Sequence, residues 1–281
     1  MDFGNTAIMK RIFLISTLCF LSFASFGQKT PPAASLDTLP VIQLADIPNE
    51  AFHAGEYLKF ILHYGIIDAG EAELTVNHSN KTYMGRSAYH IVGTGKTLGA
   101  FNWFFKVRDR YETYLDTKGI FPWQFVRDIR EGGYEKQEEY AFYQHKAAVK
   151  NNKGKVYKIP PFSQDMLSAF YFARTFDFTN AQIGQIYTIP TFVDNEEYPL
   201  QIKFIGREEI KVRSGTYKCL KFVPVLQQGR IFKKEEDMTV WISDDKNKIP
   251  ILAQAKVLVG SIKMELVDYK NLANPISIVS K

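Results

Sequence analysis

Ser163-Gln164-Asp165-Met166-Leu167-Ser168-Ala169-Phe170-Tyr171-Phe172-Ala173-Arg174 is the stretch that decides the fold of this 281-residue chain. Ser163 is suited to cap a helix, its hydroxyl accepting an orphan backbone N–H. Asp165 in the first turn suits the positive end of the helix dipole. Met166, Leu167, Ala169, Phe170, Tyr171, Phe172 and Ala173 make the helix apolar nearly all round, the mark of a buried helix. The segments on both sides alternate with a period of two instead. One buried helix in a series of strands has a natural place on the concave face of a curved sheet, where it plugs the opening and supplies core. The expected fold is mostly β: one large curved antiparallel sheet or open barrel wrapping a single buried helix.

Upstream, Leu58, Phe60, Leu62 and Tyr64 oppose Tyr57, Lys59, Ile61 and His63, the pattern of a half-buried strand. Gly65 to Gly70 marks a bend or bulge in a long hairpin. Val107, Tyr111, Thr113 and Leu115 oppose Arg108, Arg110 and Glu112. Trp123, Phe125, Arg127 and Ile129 alternate with Gln124, Asp128 and Arg130 before a Gly132-Gly133 turn. Downstream, strands are expected over 186–193, 200–206, 208–213, 217–225, 238–242, 249–259 and 261–269, the last two joined tightly at Val259-Gly260-Ser261. No internal repeat is present, and one continuous sheet is favoured over two sub-sheets.

The N-terminus reads as an address. Lys10-Arg11, the apolar run Ile12 to Phe26 and the small-residue site Ser25-Phe26-Gly27 match a cleavable secretory signal. The run is short for a membrane span of about 20 residues. The expected organisation is a signal peptide over 1–27, a proline-containing linker or flexible arm over 28–50, and a β domain over 51–275, with no transmembrane span after cleavage. Export places the protein in the periplasm or envelope. Cys19 follows Leu18 inside the apolar run, so lipidation is not expected. Cleavage leaves Cys219 alone, which excludes an intramolecular disulfide framework and fits a small buried hydrophobe.

The net charge of +5 is scattered, with signs alternating in Arg207-Glu208-Glu209-Ile210-Lys211. The dense basic run Lys146 to Lys155 reads as a hairpin turn, so no nucleic-acid partner is expected. His53, His63, His78, His90 and His145 are dispersed. No HExxH, GxSxG, GxGxxG, P-loop or CxxC spacing occurs, and no cofactor or metal is expected.

Five stretches resemble the DUF3108 family of bacterial exported proteins. They are Phe52-His53-Ala54-Gly55-Glu56-Tyr57-Leu58 with Ala69-Gly70-Glu71-Ala72; Val107 to Asp116; Arg130-Glu131-Gly132-Gly133-Tyr134; Gln164 to Arg174; and Val240-Trp241-Ile242-Ser243-Asp244-Asp245 with Ile249-Pro250-Ile251. The resemblance implies an envelope location and supplies no activity, substrate or catalytic residue. A weaker fold analogy is to periplasmic lipoprotein carriers, and fold alone does not imply function.

Five side chains are candidate ligand-binding residues. Asp109 and Arg127 share the apolar faces of their strands, and inward charges must be paired, so together they form a candidate polar anchor. Arg108, Arg110, Glu112, Asp128, Arg130 and Glu131 are expected on a solvated outer face, with cross-strand ion pairs as the alternative. Trp103 and Phe104, in the aromatic run Phe101 to Phe105, form a candidate hydrophobic lip for lipid or a partner. Phe170 is expected to face the interior. No catalytic residue is assigned. The preferred expectation is a non-enzymatic envelope protein that holds a lipid, another apolar ligand or a protein partner against the concave sheet. The alternatives are an envelope enzyme acting on polysaccharide or peptidoglycan through carboxylates such as Asp109 or Glu131, and a structural or assembly module that binds through its sheet edge.

Overall fold

A computed structural model describes residues 34–225, 238–256 and 261–280. The expected signal peptide, Cys19, the first residues of the arm and the Val259-Gly260 link lie outside the described residues. Among these, eight strands precede the buried helix: β1 (Tyr57–Tyr64), β2 (Ile67–Tyr83), β3 (Arg86–Thr97), β4 (Arg108–Asp116), β5 (Pro122–Glu131), β6 (Tyr134–Tyr143), β7 (Ala148–Asn151) and β8 (Val156–Lys158). Seven follow it: β9 (Ile186–Val193), β10 (Glu196–Val212), β11 (Gly215–Pro224), β12 (Met238–Ser243), β13 (Pro250–Lys256), β14 (Ser261–Lys270) and β15 (Ile278–Ser280). They form one antiparallel sheet in the order β8-β7-β6-β5-β4-β3-β2-β1-β14-β13-β12-β11-β10-β9, with β15 added beside β11. Each half is a meander, and the β1–β14 ladder joins the two halves in the middle.

Alternation is what lets this sheet curl. β4 and β5 send Tyr111, Thr113, Leu115, Phe125 and Ile129 inward and leave Arg108, Arg110 and Arg130 to solvent. Bulges interrupt the register at Lys59/Phe60, Leu62/His63 and Phe204/Gly206, which bends strands too long to stay flat. Gly70 has a second reason to be glycine: a Cβ there would lie 2.9 Å from the Lys96 carbonyl oxygen on β3. The curled edges approach without a ladder between them. Residues 160–166 fill the seam, where Gln164 donates its N–H to the Pro190 carbonyl and accepts the Phe192 N–H, each at 2.8 Å. Across the seam the Tyr157 and Phe192 rings lie 5.3 Å apart, and Asn151 donates to Asn195 at 2.7 Å. On the other edge, the Ala34 N–H donates to the Val156 carbonyl of β8. Both edges of the main sheet are thus engaged, which blunts edge-to-edge association.

Residues 34–50 form no strand, and backbone hydrogen bonds tie Ile42 to His145 and Ile47 to Lys118. A four-residue helix, α1 (Phe101–Phe104), lies between β3 and β4, so the buried helix is accompanied by a second, short one. The buried helix, α2, spans Ser168–Ala173, shorter than the expected 163–174. Ser163 is not its cap. The Ser163 hydroxyl donates to the Pro160 carbonyl at 2.7 Å. The capping oxygen belongs to Asp165, whose Oδ1 accepts the N–H groups of Leu167 and Ser168 at 2.7 and 2.8 Å. Ser168 returns the bond, its Oγ accepting the Asp165 N–H. Ser163 instead closes a turn, its N–H donating to the Pro160 carbonyl at 3.3 Å across Phe162, which sits at φ 58°.

Candidate functional site

The helix meets the sheet differently on two sides. Leu167 and Tyr171, one turn apart, are fully buried against the first half of the sheet. Tyr171 makes an edge contact with Phe52 at 4.9 Å between ring centres. Ala169 and Ala173, also one turn apart, face β9–β14 with methyl groups only. Beside them Met166 and Phe170 complete one wall of a pocket whose opposite wall includes Ile189, Ile202, Phe222, Val240, Ala253 and Met264. The pocket encloses about 1010 Å³, its open mouth included.

Two cations touch this pocket, Arg174 and Lys248. Arg174 is committed elsewhere. Its two terminal nitrogens donate to the two Glu56 oxygens at 2.6 and 2.7 Å, Nη2 also reaches the Ala51 carbonyl at 3.0 Å, and Nε donates to the Asn247 carbonyl at 2.8 Å. The guanidinium is ringed by Phe52, Phe170 and Tyr171 at 5.1–5.5 Å. Buried charges persist only when paired this completely. Lys248 is freer: its Nζ donates to the Arg174 carbonyl at 3.1 Å, and burial together with the neighbouring Arg174 charge lowers its pKa. Lys248 also sits at φ 50°, a costly conformation for a side chain with a Cβ. At Arg174, Phe178 and Lys248 the apolar pocket meets an open polar cleft of about 1050 Å³. The acids lining that cleft are engaged: Glu50 with Lys246, Asp177 with the Thr179 N–H, Asp244 with Arg207, and Asp245 with the N–H groups of Asn247, Lys248 and Ser277. The Asp244-Asp245 segment is therefore a turn whose carboxylates are already engaged.

Of the five expected site residues, Phe170 lines the pocket. Asp109 and Arg127 both point inward, at 5 % exposure each, but do not pair with one another. Arg127 bonds Glu138 and Asp194, and Lys136 joins the same two carboxylates at 3.0 Å. Burial opposes ionisation of Asp194, yet Arg127 and Lys136 hold its pKa below the usual range. Asp194 and Asn195 form a two-residue hairpin turn with positive φ at both positions, so this cluster pins the β9–β10 turn across the seam. Asp109 accepts the Arg130 N–H at 3.0 Å and hydrogen-bonds Glu131; burial first, and the Glu131 charge second, raise its pKa. Register explains the separation: Tyr111 stands opposite Arg127, two residues along from Asp109. The outer face is solvated, with Arg108, Arg110 and Arg130 exposed, and Arg110 pairs with Glu112 at 2.7 Å and Arg130 with Asp128 at 2.9 Å along their own strands. Trp103 and Phe104 stand in solvent, at 87 % and 67 % exposure. Cys219 is buried, which pushes its thiol up to about 12.

The motifs that carry the family resemblance converge on α2. Thr113 donates to Asp165 at 2.7 Å, Glu56 holds Arg174, and the turn after Asp245 supplies the Asn247 carbonyl. Sequence reasoning missed the Glu56–Arg174 pair, because 118 residues separate its members. It also missed Lys248.

Among the described residues no helix is long and apolar enough to cross a membrane. Similar solved structures include a β-barrel-like DUF1849 protein of Brucella abortus, at 10 % identity and TM-score 0.48 over 76 % of this chain and 96 % of that one. A candidate lipoprotein of Parabacteroides distasonis is similar at 11 % identity and TM-score 0.33 over 82 % and 100 %. A candidate exported protein with a YmcC-like fold from Bacteroides fragilis is similar at 9 % identity and TM-score 0.29 over 80 % and 99 %. No curated protein sequence matches the chain. The family described as "Protein of unknown function (DUF3108)" matches residues 59–267, and the chain belongs to it.

Proposed function

We propose that this is an exported envelope protein, without catalytic activity, that holds an acyl-chain amphiphile between α2 and strands β9–β14. The observation that carries it is the pocket itself: one wall of helix alanines, the other of aliphatic and aromatic strand residues, with a lysine where it meets a polar cleft. Concave apolar surfaces with a few placed polar groups are the usual form of small-molecule sites. A carboxylate-headed ligand fits best. Its tail would bury apolar surface along Ala169 and Ala173, and its head would restore the charge that burial disfavours on Lys248. The N-terminal address supports export. Paired-carboxylate glycoside chemistry is disfavoured by Asp109 and Glu131, which hydrogen-bond each other and leave no gap of ~5 Å or more for a glycosidic bond.

The test is native mass spectrometry of the protein purified from its host, followed by organic extraction. The expected result is a bound acyl species, lost in Val240→Trp, which fills the pocket. A wild-type protein carrying no such species, and binding no long-chain fatty acid when one is added, would overturn the proposal.

A further inference from the structure

Strand directions place several connections at one end of the barrel: the β1–β2 turn, the β3–β4 connection with α1, and the Gly132-Gly133 turn. The Leu98 N–H bonds the Ala69 carbonyl at 2.9 Å, so the α1 connection runs beside the start of β2. At this end large apolar side chains face water. Ile66 is 97 % exposed, and Ile67 stands with Trp103 and Phe104 among the exposed hydrophobics. These side chains are held out by design of the local packing. Phe101 and Phe105 on either side of Trp103 turn inward and pack with Val107, Met238, Ala255 and Ile262. Phe105 also covers Gly132, where a Cβ would fall 2.2 Å from its ring. The anchored aromatics fix α1 and leave its other face no place in the core.

The charge on the α1 connection itself is positive, while acids stand at its margin, Glu131 across from Val107 and Asp128 in the cleft that Arg108 lines. From Leu98 to Arg108 the chain carries Lys106 and Arg108, both exposed, and no acid. The next acid, Asp109, is buried, and Asp68 beside Ile67 is neutralised by Arg213 at 2.7 Å. Exposed Trp and Phe flanked by Lys and Arg are matched to the headgroup region of an anionic bilayer, where aromatic rings sit at the interface and cations meet phosphate. We propose that the α1 end docks on an anionic lipid bilayer surface through Trp103, Phe104 and Ile66, with Lys106 and Arg108 against the headgroups. Met238 and Val240 belong both to the cluster beneath α1 and to the pocket lining, so docking brings the pocket wall toward the bilayer. The docking surface stands whether or not the pocket holds a ligand.

Trp103 provides its own reporter, since Trp123 and Trp241 are buried. The protein purified from its host is mixed with vesicles of equal parts phosphatidylglycerol and phosphatidylethanolamine, and tryptophan emission and co-sedimentation are followed. The expected result is a blue shift with co-sedimentation that weakens as salt is raised. Trp103→Phe keeps the co-sedimentation and loses the shift. Trp103→Glu with Phe104→Glu loses both, and Lys106→Glu with Arg108→Glu loses the salt-sensitive part. Any retained apolar segment over 12–26 would bind vesicles alone, so the Trp103 shift is the decisive signal. An unshifted wild-type emission on these vesicles overturns the proposal. So does a wild-type dimer, seen by sedimentation velocity, that the double glutamate variant abolishes, because the patch would then belong to a second copy of the chain.

Discussion

Leu167 and Tyr171 on one side of α2, and Ala169 and Ala173 on the other, occupy equivalent positions one turn apart, yet one side is packed solid and the other opens into a pocket. The strands facing them share period, twist and hydrogen bonding. What differs is side-chain volume on two rows that run along α2 and the residue before it. Interiors are normally filled to crystal-like density, and the space beside the two alanines is where the proposed ligand would sit. The filled side acts as an anchor. There Phe52 meets Tyr171 edge to face, Glu56 holds Arg174, and Thr113 holds Asp165.

The largest effect should come from breaking the anchor. Arg174→Met strands the Glu56 carboxylate in the interior, and loss of one partner of a buried pair costs about 3–5 kcal/mol; urea unfolding is the measurement. Next, Leu167→Ala should cost about 2–5 kcal/mol by opening a cavity on the filled side. Ala169→Leu, adding volume on the pocket side, should change stability by less than about 1.5 kcal/mol in either direction. Equal and large losses in the two variants would erase the distinction between the sides.

Asp165 sharpens the comparison through pH. Burial lifts its pKa from 3.8 to about 6 against the bonds it accepts. The folded chain keeps a proton that the unfolded chain releases near 3.8, so this contribution is greatest at low pH and declines as pH rises to about 6. Asp165→Asn should gain on the wild type by on the order of 2–3 kcal/mol between pH 4 and pH 6, read as the difference in Tm across a pH series. The smallest effect concerns Tyr171, whose buried hydroxyl finds no hydrogen-bond partner among the described residues. Tyr171→Phe should leave stability unchanged or raise it by about 1 kcal/mol.

Much of this fold was legible in local pattern. Alternation over β1, β4 and β5 assigns their faces, and the apolar run around Phe170 marks the helix the sheet surrounds. Asp165 was legible in principle, because Asp followed three residues later by Ser168 has capping spacing; the preceding Ser163 drew attention from it. The pairings of Arg127 were not legible. They depend on which strands become neighbours across the seam and on where the Asp194-Asn195 turn lands, 67 residues away. The pocket was hidden for a related reason. Ala169 and Ala173 read as ordinary helix formers, and only the register of α2 against β9–β14 makes their small size a space. α1 escaped notice because Gly99-Ala100 supplies no cap.

The most direct measurement is the affinity of a fluorescent fatty acid for the delipidated protein and for Ala169→Phe, with Tm recorded for both. The account predicts saturable binding to the wild type, and loss of binding in Ala169→Phe with little change in Tm. Equal binding to both proteins would contradict it.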